Sequence, residues 1–207
     1  MTDINQAIVD IQHIRRHVAQ TSEFRGYGPF TLSTTSAIAL LTGAIQSRWI
    51  SAPATHPTQY VALWLTTGVV CAALIASQMV KRADRLHSGM ADEMVRMAVT
   101  QFAPAAIAGA VLPFVLLRGA AAIFWLLPCL WQILFSLGVF ASARCLPRPM
   151  LLAGIWFLCT GFAGILRGPD HALAPATMSI PYAVGMAFVA AVHYFSAKKA
   201  SVDENSL

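Results

Sequence analysis

The chain alternates between long apolar runs and short polar connections. Six runs, at about residues 30–50, 59–80, 99–117, 120–143, 149–166 and 177–197, each approach the roughly 20 residues a helix needs to cross a bilayer core. Ahead of them, residues 3–20 show a different period. Ile4, Ala7, Ile11, Ile14 and Val18 fall on one helical stripe, with Ile8 beside it and His13, Arg15, Arg16 and His17 around the flanks. That pattern predicts an amphipathic helix lying along a membrane interface or docked on the protein's own polar connection. Asp3 is placed to cap it, with Gln6 completing a capping box.

The pattern predicts an all-α polytopic membrane protein. Residues 1–24 form the interfacial helix, 25–197 a six-helix transmembrane domain and 198–207 a short polar tail. Composition agrees: of 207 residues, 57% are hydrophobic and 11% charged, where a soluble domain carries about a quarter charged. The first 24 residues are polar, so membrane entry is expected to use the first apolar run rather than a cleavable signal.

Charge then orients the molecule. Of 14 basic residues, 11 lie on one side of the predicted spans: Arg15, Arg16, Arg25, Lys81, Arg82, Arg85, Arg96, Arg144, Arg148, Lys198 and Lys199. Arg48, Arg118 and Arg167 lie on the other. The positive-inside rule puts both termini in the cytoplasm, and the net charge of +5 reads as orientation charge facing anionic headgroups, not as a nucleic-acid surface. The longest polar interruption, Lys81–Gln101, is expected to be the main cytoplasmic connection. Trp49, Tyr60 and Trp64 read as outer-boundary anchors, and Tyr27 and Tyr194 as inner ones. Gly26-Tyr27-Gly28 resembles part of a potassium-channel filter, but Arg25 precedes it and no pore helix stands before it, so it reads as a hinge. Pro104, Pro113 and Pro128 lie within spans and predict kinks whose freed carbonyls find neighbouring partners.

Candidate chemistry is sparse. All nine acidic residues (Asp3, Asp10, Glu23, Asp84, Asp92, Glu93, Asp170, Asp203, Glu204) lie outside the spans. A proton- or cation-coupled carrier usually keeps an ionisable group inside, so this weighs against coupled transport. Polar residues within the spans are Thr66, Thr67, Gln132, Ser136 and Thr160, with His193 towards the inner end. Gln132 is expected to hydrogen-bond a neighbouring helix, and with Thr66 and Thr67 is a candidate ligand contact. Ser136 and His193 fall at similar predicted depth. Their placement on the fourth and sixth segments resembles that of the serine and histidine of rhomboid-type intramembrane proteases, but the residues around Ser136 read LFSLG rather than Gly-x-Ser-Gly. His193 alone does not make a bis-histidine haem site, and His56, Asp170 and His171 are a weak outer metal cluster. Cys71, Cys129, Cys145 and Cys159 have no CxxC spacing. No metal or cofactor is therefore expected.

Small residues recur every fourth position at Ser179, Ala183, Ala187 and Ala191, and as the pairs Ala105/Gly109 and Thr160/Gly164. Such spacing lets helix backbones approach closely, within the chain or between copies. Residues 23–40, EFRGYGPFTLSTTSAIAL, with the closing SIPYAVGMAFVAAVHYF, resemble an uncharacterised family of small bacterial six-helix inner-membrane proteins. The resemblance implies a bacterial inner membrane and no activity. Three classes stand: a non-enzymatic accessory protein associating with itself or another membrane protein, a small transporter or channel for a neutral or lipophilic solute, and an intramembrane serine enzyme. The accessory protein is the primary expectation.

Overall fold

The computed structural model describes residues 29–50, 52–86, 89–143 and 150–204. The interfacial helix at 3–20, the Tyr27 hinge, His87, Arg144, Cys145 and Arg148 lie outside them. Among the described residues the chain forms seven α-helices and no strand: α1 (Pro29–Trp49), α2 (Pro57–Leu86), α3 (Gly89–Gly119), α4 (Leu127–Ala141), α5 (Met150–Leu166), α6 (Pro169–Ala172) and α7 (Pro175–Glu204). A 3₁₀ helix, Ala121–Leu126, leads into α4.

Four stretches are long and apolar enough to cross a bilayer: Pro57–Gln78, Val99–Gly119, Ala121–Ala141 and Pro175–Val192. The protein is accordingly a membrane-embedded helical bundle. Length and composition do not by themselves give the expected six spans, for two reasons. α1 has seven Ser and Thr among its 21 residues, and α5 is 17 residues long, about 25 Å at helical rise. Four of the α1 hydroxyls are nevertheless satisfied locally. Thr34, Thr35, Thr42 and Ser47 donate to backbone carbonyls three or four residues back in their own helix, which lowers the cost of keeping them away from water.

The polar stretch 81–101 is not a loop. Its described residues, 81–86 and 89–101, extend the two flanking helices to 30 and 31 residues, because its Lys, Arg, Met and Ala are good helix formers. At the opposite end, Arg118 closes α3, and Pro128 begins α4 after the 3₁₀ segment. The expected kink at Pro128 is thus a 3₁₀-to-α junction, where a missing N–H costs nothing. Gly168, at φ 78°, turns α5 into the short α6, a conformation other residues rarely adopt. Arg48 and Arg118 sit in the last turns of α1 and α3, and Arg167 follows α5 directly. Each places positive charge near the negative end of a helix dipole, a local reason for the three isolated arginines.

Contacts between helices alternate in direction. α1 and α7 run antiparallel, with Gln46 meeting Leu173, Gly43 meeting Ser179, and Leu32 clustered with Met186, Val189 and Ala190. α4 and α5 do the same through Cys129 with Gly164, Ile133 with Gly161 and Phe140 with Gly154. α4 and α7 run parallel, with Gln132 beside Thr177 and Phe135 beside Tyr182. We call the end holding Trp49, Leu116 and Leu173 the upper end.

Candidate functional site

Three of the bundle's contacts involve carbonyls that helical prolines release or leave near a bend. A proline lacks the N–H that would bond the carbonyl four residues earlier. Pro113 within α3 thus frees the carbonyl of Gly109, and Trp131 Nε1 donates to it at 2.8 Å. Pro181 within α7 frees that of Thr177, and Gln132 Nε2 donates to it at 2.8 Å. The carbonyl of Pro181 itself accepts from Trp156 Nε1 at 3.0 Å. Adjacent residues of α4 therefore reach in opposite directions to the two proline-bearing helices. In lipid no water is at hand for those carbonyls, so the donors satisfy what the prolines leave open.

A second polar cluster lies near the upper end. Fully buried Gln46 donates from Nε2 to the carbonyl of Leu173 at 2.9 Å and accepts from Trp64 Nε1 at 2.8 Å. This one amide ties α1, α2 and the segment before α7. Tyr60 and Trp64 are correspondingly buried, 0% and 5% exposed, and are not boundary anchors. Both rings point into the top of the bundle, where Tyr60 meets Phe124 edge-on with centroids 6.1 Å apart. Only Trp49, 81% exposed, occupies the surface position expected of all three.

Other side chains have buried polar atoms with no hydrogen-bond partner among the described residues. These are the Tyr60 hydroxyl, Gln132 Oε1, Ser136 Oγ and Ser142 Oγ. Gln132 and Ser136 share one face of α4 with Cys129, and Tyr60 packs in a buried cluster with Leu127 and Trp131, with Tyr182 against it. Ser142 stands apart at the C-terminal cap of α4. Above this group the upper end opens into a cleft of about 690 Å³ between Ile50 and residues 52–54, the 3₁₀ helix and the turn before α7. Phe124 and Leu173 belong to both the cleft lining and the buried cluster containing Tyr60 and Trp64.

The remaining sequence candidates fall as follows. Thr66 is exposed; Thr67 back-bonds to Leu63 and lies 3.0 Å from the hydroxyl of Thr42. The register of α4 on α7 puts Ser136 level with about residue 182. His193 is some ten residues further along α7, about 15 Å at helical rise, so the similar depth expected for the pair is not what the helices give. His56, Asp170 and His171 are exposed, and the described residues contain no group of three or more His, Cys, Asp or Glu able to hold a metal.

The small-residue stripe of α7 divides. Ser179 and Ala183 are buried against α1, where a Cβ on Gly43 would lie 2.5 Å from Ser179 Cβ and Ser36 donates to the Ala183 carbonyl at 2.7 Å. Ala187 is exposed and Ala191 half-buried. Ala105 and Gly109 face α4, Ala105 against Gly138 and Gly109 against Trp131. On α5 the close approach is made by Gly154, Gly161 and Gly164; Thr160 instead bonds back to Trp156. Sequence spacing missed Gly43, Gly161 and Gln46. The in-helix prolines were the available signal for Trp131 and Gln132, since each marks a carbonyl in need of a donor.

No known protein family, curated protein or solved structure matches the chain.

Proposed function

We propose that the chain is a bacterial inner-membrane protein crossing six times, both termini cytoplasmic, and that it acts as a non-enzymatic accessory protein through association of its helices with a partner. Helix pairing supports the two additional crossings. α1 follows α7 along most of its length, and α5 follows α4, so a membrane-crossing α7 or α4 carries its neighbour across. The short α5 is accommodated by local thinning or by snorkelling at Arg167. Reporter fusions test this topology: a fusion after Met90 is expected to read cytoplasmic and one after Gly119 periplasmic. The opposite readout at Met90 overturns the orientation.

The accessory reading rests on the exposed face of α2. Ala62, Thr66, Val69, Ala73 and Ala76 lie along one stripe, all exposed. Of the apolar windows, 17% of that in α2 and 11% of that in α3 is buried, against 39% for the 3₁₀–α4 span, and of the two open helices it is α2 that carries this stripe. Lipid-facing stripes need no small residues, whereas close helix association does. The α7 stripe no longer fits this purpose, since Ser179 and Ala183 already pack on α1. Changing Ala73 and Ala76 to Leu is expected to abolish crosslinked species in native membranes while the purified protein melts as wild type. A protein that crosslinks to nothing, yet moves a neutral solute in sealed vesicles, would make the transporter reading the correct one. That second reading draws its support from the upper cleft. Among the described residues, no contact supports the serine-enzyme reading.

A further inference from the structure

We infer that the upper cleft and the buried polar groups beneath it form a binding site for a small uncharged polyhydroxy molecule. Four observations converge on it, and none depends on the association of α2.

The first is the set of unpartnered atoms. Tyr60, Gln132 and Ser136 are each 0% exposed, yet the Tyr60 hydroxyl, Gln132 Oε1 and Ser136 Oγ have no hydrogen-bond partner among the described residues. Burying such groups unpaired costs free energy, and native proteins keep them so at few places. The neighbouring Gln46 shows that the fold pairs buried amides fully where structure alone is served: both of its ends are occupied.

The second is their common placement. Gln132 and Ser136 lie one turn apart on α4, about 6 Å at helical rise. Tyr60 reaches the same region from α2, packed in one buried cluster with Leu127 and Trp131 of α4 and with Tyr182 of α7 against it. The rings of Phe135, Phe157 and Tyr182, with centroids 4.7–5.7 Å apart, stand beside them and supply an apolar wall. Apolar walls with a few directed polar groups are the usual make-up of a small-molecule site.

The third is access. Phe124 and Leu173 line the cleft of about 690 Å³. Phe124 also covers Tyr60 edge-on, and the carbonyl of Leu173 is held by Gln46. Phe124 and Leu173 thus separate the cleft from Tyr60, and Gln132 and Ser136 follow further down α4.

The fourth is charge. Among the described residues the buried polar side chains are Thr31, Thr35, Thr42, Gln46, Gln132, Ser136, Ser142 and Ser179, with no acidic or basic one; Asp170 lines the cleft but stays exposed at its mouth. An ion entering this region would lose its hydration without a counter-charge, so the ligand is neutral. Gln132 Oε1 only accepts, whereas the two hydroxyls both donate and accept. A molecule carrying several hydroxyls meets all three.

The test uses the full chain in lipid nanodiscs with glycerol as probe, read by saturation-transfer NMR against empty nanodiscs. Wild type is expected to transfer saturation to glycerol. The Tyr60→Phe/Ser136→Ala variant removes two hydroxyls and leaves Gln132 bonded to Thr177; it is expected to bind about tenfold more weakly. If that variant does not fold, Ser136→Ala alone is expected to give a several-fold loss. Ala122→Trp fills the exposed wall of the cleft without touching the buried groups, and is expected to slow exchange and reduce transfer. Wild-type transfer no greater than that of empty nanodiscs overturns the site. Undiminished transfer in the folded hydroxyl variants overturns the role of the buried groups, and undiminished transfer in Ala122→Trp overturns the cleft as the entry.

Discussion

Gly43→Ser is expected to destabilise the protein by about 1–3 kcal/mol, and adding Ser179→Gly to the same chain should restore most of that loss. The ideal Cβ at position 43 lies 2.5 Å from Ser179 Cβ and 2.6 Å from its Oγ, far inside contact distance. The serine on α7 bonds back to Pro175 at 2.8 Å, which fixes its rotamer, so α1 and α7 must separate to admit a second side chain. Separation also strains the Ser36 bond to Ala183 and the Gln46 bond to Leu173. Moving the side chain from α7 to α1 conserves the volume of the seam. Gly68→Ala supplies the control: nothing lies within 4 Å of its Cβ, so the change should stabilise α2 by up to about 1 kcal/mol. The measurement is reversible unfolding of purified protein in mixed micelles. A Gly43→Ser variant as stable as wild type would show that α1 does not pack on α7 at this point, and the α1 crossing would lose its main support.

That seam also shows how far the sequence could be read. Ser179 and Ala183 are visible as a stripe because small residues recur at helical spacing. Gly43 has no such repeat, and a glycine in an apolar run says nothing of which helix it faces. Direction is the missing quantity throughout. Tyr60 and Trp64 sit near the end of an apolar run, where amphipathic rings usually meet headgroups; Gln46 accepts from the Trp64 indole and Phe124 meets the Tyr60 ring edge-on, and both rings turn inward instead. The same limit applies to Ser136 and His193, since depth counted from span ends carries errors of several residues, whereas the Gln132–Thr177 bond sets the register of α4 on α7 directly. The run lengths were easier, because a long apolar run has few alternatives to a helix. α1 was the exception. Its hydroxyls lower its hydropathy, but their bonds to their own helix reduce the polarity that the neighbouring surface meets.

The largest coupled effect is expected where α4 serves the proline-bearing helices. Gln132→Met keeps the volume but removes the side-chain donor to the Thr177 carbonyl, and Trp131→Phe, with a smaller ring, removes the donor to Gly109. Each should cost about 1–3 kcal/mol, as removal of a partner from a buried carbonyl does. Pro181→Ala returns a backbone N–H to the helix four residues after Thr177, so the carbonyl regains an intrahelical donor. In that background Gln132→Met should become cheaper by about 1 kcal/mol, within the range measured for hydrogen bonds between membrane helices. Trp131→Phe should keep its full cost there, because its carbonyl is freed by a different proline. Pro113→Ala should reverse the pattern, relieving Trp131→Phe and leaving Gln132→Met unchanged. Four variants and their crosses, unfolded in micelles, give both coupling energies. Coupling in the two matched pairs and none in the crossed pairs identifies each α4 side chain as the donor its proline requires. Equal coupling in all four would mean that α4 responds to general loosening of the bundle, and the assignment of Gln132 and Trp131 to particular carbonyls would fail.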